Sequence, residues 1–496
     1  MRLTKNTYLI LTAIIMGMAS CYKDIGNYDY SEINEPTISG IEDSYTVLLG
    51  EHFTLKPEIT FSKDQSNDTS NYTYEWIGIR TDNVLPADVR RVISVYRNID
   101  QVITLAPGPY RVYYRVKDKN TGVQWQKIFN MTVVSSIYEG WMVLNDVNGK
   151  SRVDMLSVLD GEYTPIIDVL GTTGSDIPAS ALGKPIYINC YPFDPTFYGI
   201  YICTDAGTNK IHPETFKWDF TYNIKYEFLG NLPDNFTINY MTNLSGNTGW
   251  YHGSDNNVYY YYRVFQIKPD VPINLVKGEP AAFKASKYIA AINGTAILYD
   301  ETNKRFVRHI NNESTSTLMP AGTLFDYNTD KELVYMTYTP YGNGNVFAIL
   351  DSVETQQRFL ARFSLGSSIT QLYYEEMTGT DILQGENFAV SPDLGYIFYN
   401  VGGKVYEYDM VLKTSKLMLD FGSQKISMMK FHRFVSRSKY AALANKLIVA
   451  SYDPAKPEGS NGKLQFYTVP PVNGDLVLES EFTNLGKVVS LAYRER

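Results

Sequence analysis

"GYIFYNVGGKVYEYDM", residues 395–410, contains two runs of alternating apolar and aromatic residues on either side of a glycine pair. Alternation with a period of two is typical of a half-buried β-strand. Glycines at 402 and 403 can adopt the positive φ that a tight hairpin turn requires. The stretch therefore predicts a β-hairpin.

Seven stretches of this kind follow one another along the chain, at residues 139–158, 197–219, 247–264, 287–307, 332–350, 395–410 and 446–469. Further Gly/Asn turns include Asn148-Gly149, Asn293-Gly294 and Asn461-Gly462. A spacing of roughly 51 residues lies within the range of propeller blades. We predict a seven-bladed β-propeller over residues 137–496. The alternative, two stacked sandwiches, does not explain the repeated hairpin.

The C-terminal segment predicts how such a ring closes. "LGKVVSLAYR", residues 485–494, is similar to "FGSQKISMMKFHR", residues 421–433, which precedes the seventh hairpin. No such strand precedes the first hairpin, which begins near Gly140. We expect Val488–Tyr493 to pair with that hairpin and so remove an open sheet edge.

Residues 36–135 carry a different all-β pattern, with shorter strands and no repeat. In "LAPGPYRVYYRVKD", residues 105–118, Tyr110, Val112, Tyr114 and Val116 share one face of the predicted strand. Roughly seven short strands in about 100 residues are typical of a β-sandwich. The predicted fold is thus a sandwich followed by a propeller.

The same stretch resembles the Pro-Gly-x-Tyr-x-Val strand of PKD and related bacterial Ig-like domains. The Trp-Asp-Phe-Gly-Asp-Gly hallmark of true PKD domains is absent, and "YEWIGI", residues 74–79, stands there instead. The first quarter of the chain therefore resembles the PKD-like family found in surface lipoproteins.

The N-terminus predicts export. Arg2 and Lys5 precede an apolar run that is too short to span a bilayer, as in a secretory signal. "MASC", residues 18–21, resembles a bacterial lipobox, which implies a signal peptide at 1–20, lipidation of Cys21 and a polar tether at 21–35. An ordinary signal peptide with an incidental cysteine is the alternative.

Charge and composition restrict the classes of partner. Among 496 residues the net charge is −8, and no basic stripe occurs, which argues against nucleic-acid binding. Tyrosine is enriched, with 41 residues, which favours strands and, at exposed sites, contacts with sugars or peptides.

No motif in the sequence indicates catalysis, a metal or a cofactor. None of the five histidines has metal-ligand spacing, and no Gly-x-Ser-x-Gly elbow occurs. Carboxylates such as Glu375, Glu376 and Asp219 could form a glycosidase pair only at a separation that the sequence does not define. We therefore predict neither catalytic residues nor a cofactor.

Two aromatic groups are candidate ligand platforms. The first comprises Trp250, Tyr251, Tyr260 and Tyr262, and the second comprises Tyr373 and Tyr374. A flat ring that faces solvent can stack on a sugar or a peptide side chain. Strand alternation alone, with half of these rings facing inward, is the other interpretation.

Cys190 and Cys203 lie on two predicted strands around a Pro-containing loop. In an oxidising compartment they could form a disulfide across the hairpin. Two separate buried thiols are the alternative, because cysteine also packs well in cores.

The resemblance to PKD-like family lipoproteins implies a function. Such a protein would be anchored in the outer membrane, facing the cell exterior, beside a SusC-like TonB-dependent transporter and a SusD-like lipoprotein. It would act as a non-catalytic binding or accessory subunit for glycan or peptide oligomers in nutrient uptake. A propeller-fold glycoside hydrolase or lyase and a structural adhesin are the alternatives.

Overall fold

The computed structural model describes residues 33–66, 68–82, 89–159, 161–191, 199–242, 248–262, 268–292, 294–366, 368–433 and 438–496. The predicted signal peptide, Cys21 and most of the tether lie outside these residues. Within the described ranges, no helix is both long and apolar enough to cross a membrane.

Within the described residues, the N-terminal domain contains nine strands: β1 (Pro36–Ser39), β2 (Ser44–Leu48), β3 (His52–Leu55), β4 (Glu58–Phe61), β5 (Tyr72–Arg80), β6 (Arg90–Ser94), β7 (Ile99–Val102), β8 (Gly108–Asp118) and β9 (Gln124–Val134). Five of them form the main sheet, in the order β2-β9-β8-β5-β6, while β1 pairs with β4 and β3 pairs with β7. Strands β2 and β9 run parallel.

The predicted alternation in β8 is confirmed. Tyr110, Val112, Tyr114 and Val116 are at most 2% exposed and lie in the sandwich core. The Trp76 ring of β5 stacks on Tyr114, with ring centroids 4.0 Å apart. This aromatic contact joins two neighbouring strands of the sheet through their buried face.

The second domain contains seven antiparallel sheets of three or four strands within the described residues, one for each predicted hairpin. Two of these sheets have only three strands, so the count of seven complete blades stays a prediction. The sheets are β12-β11-β10-β35, β13-β14-β15, β16-β17-β18, β19-β20-β21-β22, β23-β24-β25-β26, β27-β28-β29-β30 and β31-β32-β33-β34.

The strands of the second domain extend from Gly140 to Arg494. The first half comprises β10 (Gly140–Val147), β11 (Lys150–Leu159), β12 (Glu162–Ile166), β13 (Pro185–Tyr191), β14 (Gly199–Thr204), β15 (Gly207–Ile211), β16 (Ile238–Met241), β17 (Thr248–Gly253), β18 (Val258–Tyr262), β19 (Ala290–Ile292), β20 (Thr295–Asp300), β21 (Arg305–Ile310) and β22 (Thr317–Leu318).

The second half comprises β23 (Glu332–Thr339), β24 (Asn345–Ser352), β25 (Gln357–Ser364), β26 (Gln371–Glu376), β27 (Phe388–Val390), β28 (Ile397–Val401), β29 (Lys404–Asp409), β30 (Thr414–Asp420), β31 (Lys425–Phe431), β32 (Lys446–Tyr452), β33 (Gly462–Thr468), β34 (Val477–Leu485) and β35 (Lys487–Arg494). Two single-turn helices, α1 (Val169–Thr172) and α2 (Ala441–Ala444), lie between strands.

The predicted closure of the ring is confirmed by the register of β35. This strand pairs antiparallel with β10, so that Gly140 lies opposite Arg494 and Asn145 lies opposite Val488. The last strand in sequence thus becomes an edge strand of the first sheet, and it also contacts β13 and β31 of the two neighbouring sheets. Seven strands, one from each sheet, lie on the inside of the domain; we call β13, β16, β19, β23, β27, β31 and β35 the inner strands.

Candidate ligand-binding cavity

The inner strands of all seven sheets surround one cavity of about 590 Å³. This volume falls within the range of small-molecule binding sites. Hydrogen bonds join neighbouring inner strands around it. Ile188 N donates to Ser490 Oγ (3.2 Å), and Tyr187 Oη donates to the Met241 carbonyl (3.3 Å). Hydrogen bonds between a side chain and the backbone therefore link inner strands that belong to different sheets.

Four tyrosines form an aromatic arc on one side of the cavity: Tyr187, Tyr240, Tyr288 and Tyr335. Three of them lie on the inner strands β13, β16 and β23, and Tyr288 directly precedes β19. The rings of Tyr187 and Tyr240 are 5.5 Å apart, and those of Tyr288 and Tyr335 are 5.3 Å apart. Each is half-buried, so part of every side chain stays accessible from the cavity.

Burial lowers the acidity of two of these tyrosines, Tyr187 and Tyr335. Burial raises the pKa of Tyr335, and the Arg433 guanidinium opposes that shift. Burial likewise raises the pKa of Tyr187 well above its ordinary value. These phenols therefore stay neutral at physiological pH and offer hydroxyl groups and ring faces to a ligand.

Two cations complete the wall. Lys430 lies on β31 between Met429 and Phe431, whose side chains pack in an apolar cluster between sheets. Because alternate side chains point to opposite faces, Lys430 faces away from that cluster and lines the cavity. Its Nζ donates a hydrogen bond to the Leu491 carbonyl of β35 (2.9 Å).

Burial, and next the positive charge of Arg433, lower the pKa of Lys430 to about 8. The amine is therefore still mostly protonated at pH 7. Arg433 follows β31 at an exposed position and donates from Nη1 to Tyr240 Oη (3.0 Å). The described residues that line the cavity include no Asp or Glu. Its polar side chains are two cations, several hydroxyls, the Asn189 amide, the His432 imidazole and the Cys190 thiol.

The first predicted platform requires a correction. Trp250 and Tyr251, on β17, are fully buried and belong to two different clusters between sheets. The Trp250 indole donates to His309 Nδ1 (2.9 Å). Neither ring presents a face to a ligand, because the second strand of a sheet is covered by the sheets on both sides.

The other two residues of the first platform are intermediate in burial. Tyr260 and Tyr262 are half-buried, and the Tyr260 ring packs 5.3 Å from Trp250. Neither lines the central cavity. Tyr373, of the second group, donates from Oη to the Met410 carbonyl (2.9 Å). A ligand role for these tyrosines stays a prediction.

The two cysteines are buried thiols, so the disulfide alternative is wrong. In the pairing of β13 with β14, Cys203 lies opposite Tyr187, whereas Cys190 lies opposite Ile200. This offset of three residues places the thiols on opposite faces of the sheet. Burial raises the pKa of Cys203 to about 12, which keeps the thiol protonated and unreactive.

Among the described residues, no group of three or more His, Cys, Asp or Glu side chains is arranged to hold a metal ion. His252 and His309 are buried, and burial lowers the pKa of both. Each uses a ring nitrogen on a backbone carbonyl, at 2.9 Å from Ala285 O and 2.8 Å from Glu313 O. These two histidines therefore act as structural, neutral side chains.

Sequence reasoning missed Lys430, Arg433 and the tyrosine arc. One signal was present: a lysine within the apolar run Met428–Phe431, at a position where strand alternation would otherwise place an apolar residue. A charged side chain inside an apolar strand points to a water-filled or ligand-filled space rather than to a packed interface.

Comparison with known proteins supports the N-terminal assignment. Residues 21–184 match the model of the PKD-like family. The match extends beyond β9 through β10, β11 and β12 and ends just before β13. No curated protein matches the sequence.

Several solved structures align with low scores. A quinonprotein alcohol dehydrogenase-like protein from Bacteroides thetaiotaomicron has a TM-score of 0.39 and 12% identity, and covers 90% of this chain and 99% of its own. A DUF4784 family protein from Bacteroides caccae has a TM-score of 0.32 and 8% identity over 93% and 98%. YCF48 from Cyanidioschyzon merolae has a TM-score of 0.35 and 11% identity over 62% and 95%.

The fold and cavity together define the class of protein. It is an all-β protein with a PKD-like N-terminal domain and a β-propeller-like second domain around a central cavity.

Proposed function

We propose that this protein is a non-catalytic binding subunit that holds part of an oligomeric nutrient in its central cavity. The observation that carries the proposal is the cavity wall: four half-buried tyrosines and two cations, on inner strands or directly beside them, line one space. Rigid aromatic rings bind with little loss of conformational entropy. An array of hydroxyls and ring faces suits a saccharide, and a peptide oligomer is the second class of ligand.

We further propose that the protein is lipidated at Cys21, anchored in the outer membrane and exposed to the cell exterior. The lipobox-like "MASC" and the PKD-like match that begins at Cys21 support this proposal. In that position it would serve a SusC-like transporter and a SusD-like lipoprotein. Tethering beside a transporter would raise the effective concentration of a weakly held oligomer.

Binding and turnover can be separated with the purified full chain. We expect calorimetric binding of oligosaccharides without release of shorter products. Replacing Tyr288 and Tyr335 together by Leu should weaken that binding at least tenfold, because two ring faces are removed. Tyr96→Ala, at a 74% exposed residue of the sandwich, is the matched control and should bind normally. Cleavage of the oligomer would replace this proposal with the hydrolase or lyase alternative.

Location and partners need a separate test. Cys21→Ala should move the protein from the detergent phase to the aqueous phase, and unchanged membrane retention would contradict lipidation. Affinity purification of the lipidated protein should recover a large outer-membrane barrel protein and a second lipoprotein. Recovery of the protein alone would contradict the accessory role but leave cavity binding untouched.

A further inference from the structure

We propose that the ligand of the central cavity is an acidic saccharide, whose carboxylate or sulfate group lies between Lys430 and Arg433. This inference rests on the proposed binding function and names its ligand class. It comes from the imbalance of charge in the wall, which contains two cations and, among the described lining residues, no carboxylate.

Lys430 provides the inner part of this anion site. Its ammonium group has three N–H donors, and the Leu491 carbonyl accepts one of them. No carboxylate of the described chain lies within ion-pairing distance of its Nζ. The protonated amine is therefore held in a partly desolvated place without a counter-ion, an arrangement that an incoming anion would stabilise.

Arg433 provides the outer part. Its guanidinium donates to the Tyr240 hydroxyl and retains further N–H donors, since arginine carries five. Its side chain is exposed, lines the cavity and lies 3.0 Å from the hydroxyl of Tyr240, which belongs to the tyrosine arc. Its positive charge also opposes the protonation of Lys430. Two cations that repel one another across a cavity are both relieved by an anion between them.

Three buried or half-buried arginines of the same domain do have carboxylate partners. Arg152 pairs with Asp154 (2.7 Å) and Arg358 pairs with Asp351 (2.7 Å). Arg305 pairs with both Asp300 (2.8 Å) and Glu279 (2.7 Å). In contrast to these three side chains, the two cavity cations have no carboxylate among the described lining residues.

The rest of the wall favours a sugar over an acidic peptide. Neutral residues with hydroxyl groups also line the cavity: Thr242, Thr337, Thr339 and Ser490, as well as the tyrosines. A pyranose ring presents hydroxyls at its edge and C–H groups on its faces. These match short neutral hydroxyl side chains and half-buried phenol rings, respectively.

Calorimetry on the full chain tests the proposal with four probes: a hexagalacturonate, a sulfated disaccharide, a neutral maltohexaose and a penta-glutamate peptide. We expect one or both acidic sugars to bind at least tenfold more tightly than the neutral one. The carboxylate and sulfate arms identify which group is held. Lys430→Gln and Arg433→Gln should each weaken acidic-sugar binding at least tenfold, whereas Lys456→Gln, at an exposed turn, should not.

Lys430→Met guards against a folding artefact, because methionine fits an apolar strand and carries no charge. It should melt no lower than the wild-type protein and still lose the acidic sugar. Equal binding of neutral and acidic sugars, or preference for the peptide, would overturn the inference while leaving a binding function intact. Absence of binding to all four probes would overturn both.

Discussion

The tyrosines of the inner strands and the aromatic residues of the second strands have opposite roles, although they occur in similar sequence. Tyr240 of β16 is half-buried and lines the cavity, whereas Trp250 and Tyr251 of the adjacent β17 are fully covered. The difference is the position of the strand within its sheet, because only the inner strand borders the central cavity. An aromatic side chain on the second strand stabilises the fold, and one on the inner strand is available to a ligand.

Removal of residues 487–496 should have the largest effect on this arrangement. It deletes an inner strand and exposes Trp141 and Val143 of β10, which now pack against β35. We expect loss of the cooperative thermal transition and aggregation, because the inner edge of β10 and apolar faces become exposed. The measurement is differential scanning calorimetry with light scattering.

A mild change in the same strand is the control for that truncation. Val489 is half-buried and lines the cavity. Val489→Thr should leave the transition in place. A truncated protein that melts like the intact one would show that β35 does not close the ring.

Trp250→Ala tests whether an aromatic residue on the second strand of a sheet stabilises the fold without binding a ligand. Loss of a fully buried indole and its hydrogen bond to His309 should lower the free energy of unfolding by about 3 to 5 kcal/mol. Affinity for a cavity ligand should be unchanged under conditions where the protein is folded. Urea titration and calorimetry provide the two values. Weaker ligand binding with unaltered stability would reverse the roles assigned to the two strands.

Glu407 is a buried acidic side chain that does not line the cavity. It lies on β29, is 2% exposed, and neither carboxylate oxygen has a hydrogen-bond partner among the described residues. Burial raises its pKa from 4.5 to about 7. Because the folded state favours the protonated form, the stability that this group contributes is present below pH 4.5 and is lost as pH rises through about 7.

Glu407→Gln should therefore stabilise the protein increasingly between pH 4.5 and pH 8, reaching about 1 to 3 kcal/mol at the upper end. Thermal melts across this range measure the difference from wild type. Glu354→Gln, at an exposed turn, is the control and should give a difference that does not grow with pH. A gain at low pH instead would mean that Glu407 is ionised and satisfied in the folded state.

Tyr240→Phe should give the smallest effect. It tests whether an aromatic residue on an inner strand contributes to ligand binding. It keeps the ring and removes the hydroxyl that accepts from Arg433. We expect a loss of about 0.5 to 1.5 kcal/mol in ligand affinity and little change in melting temperature. Calorimetry measures the ligand affinity, and thermal melts of the same preparation measure the stability. A drop in stability without a change in affinity would assign Tyr240 to the core.

Local sequence patterns were sufficient for much of the fold. Alternation defined the buried face of β8, the seven hairpins each correspond to one sheet, and the similarity of residues 485–494 to residues 421–433 predicted the closing strand. These features depend on neighbouring residues or on a repeat, and both are visible in one sequence.

The cavity could not be predicted in the same way. Its wall takes one or a few side chains from each of seven strands that are far apart in sequence, and β16 and β19 have only four and three residues. The hairpins of second and third strands carry the strongest apolar signal, which drew attention to Trp250 and Tyr251. Alternation identifies two faces of a strand but does not show which strand borders the centre.

The pairing of β35 with β10 also has a consequence for biosynthesis. A ribosome makes β10 long before β35, so the first sheet lacks its inner strand until nearly the whole second domain has been synthesised. The sandwich, whose strand partners all lie between Pro36 and Val134, can fold independently of that event. During synthesis, the propeller-like domain must therefore stay incomplete for longer than the sandwich, and its formation is limited by contact between distant parts of the chain.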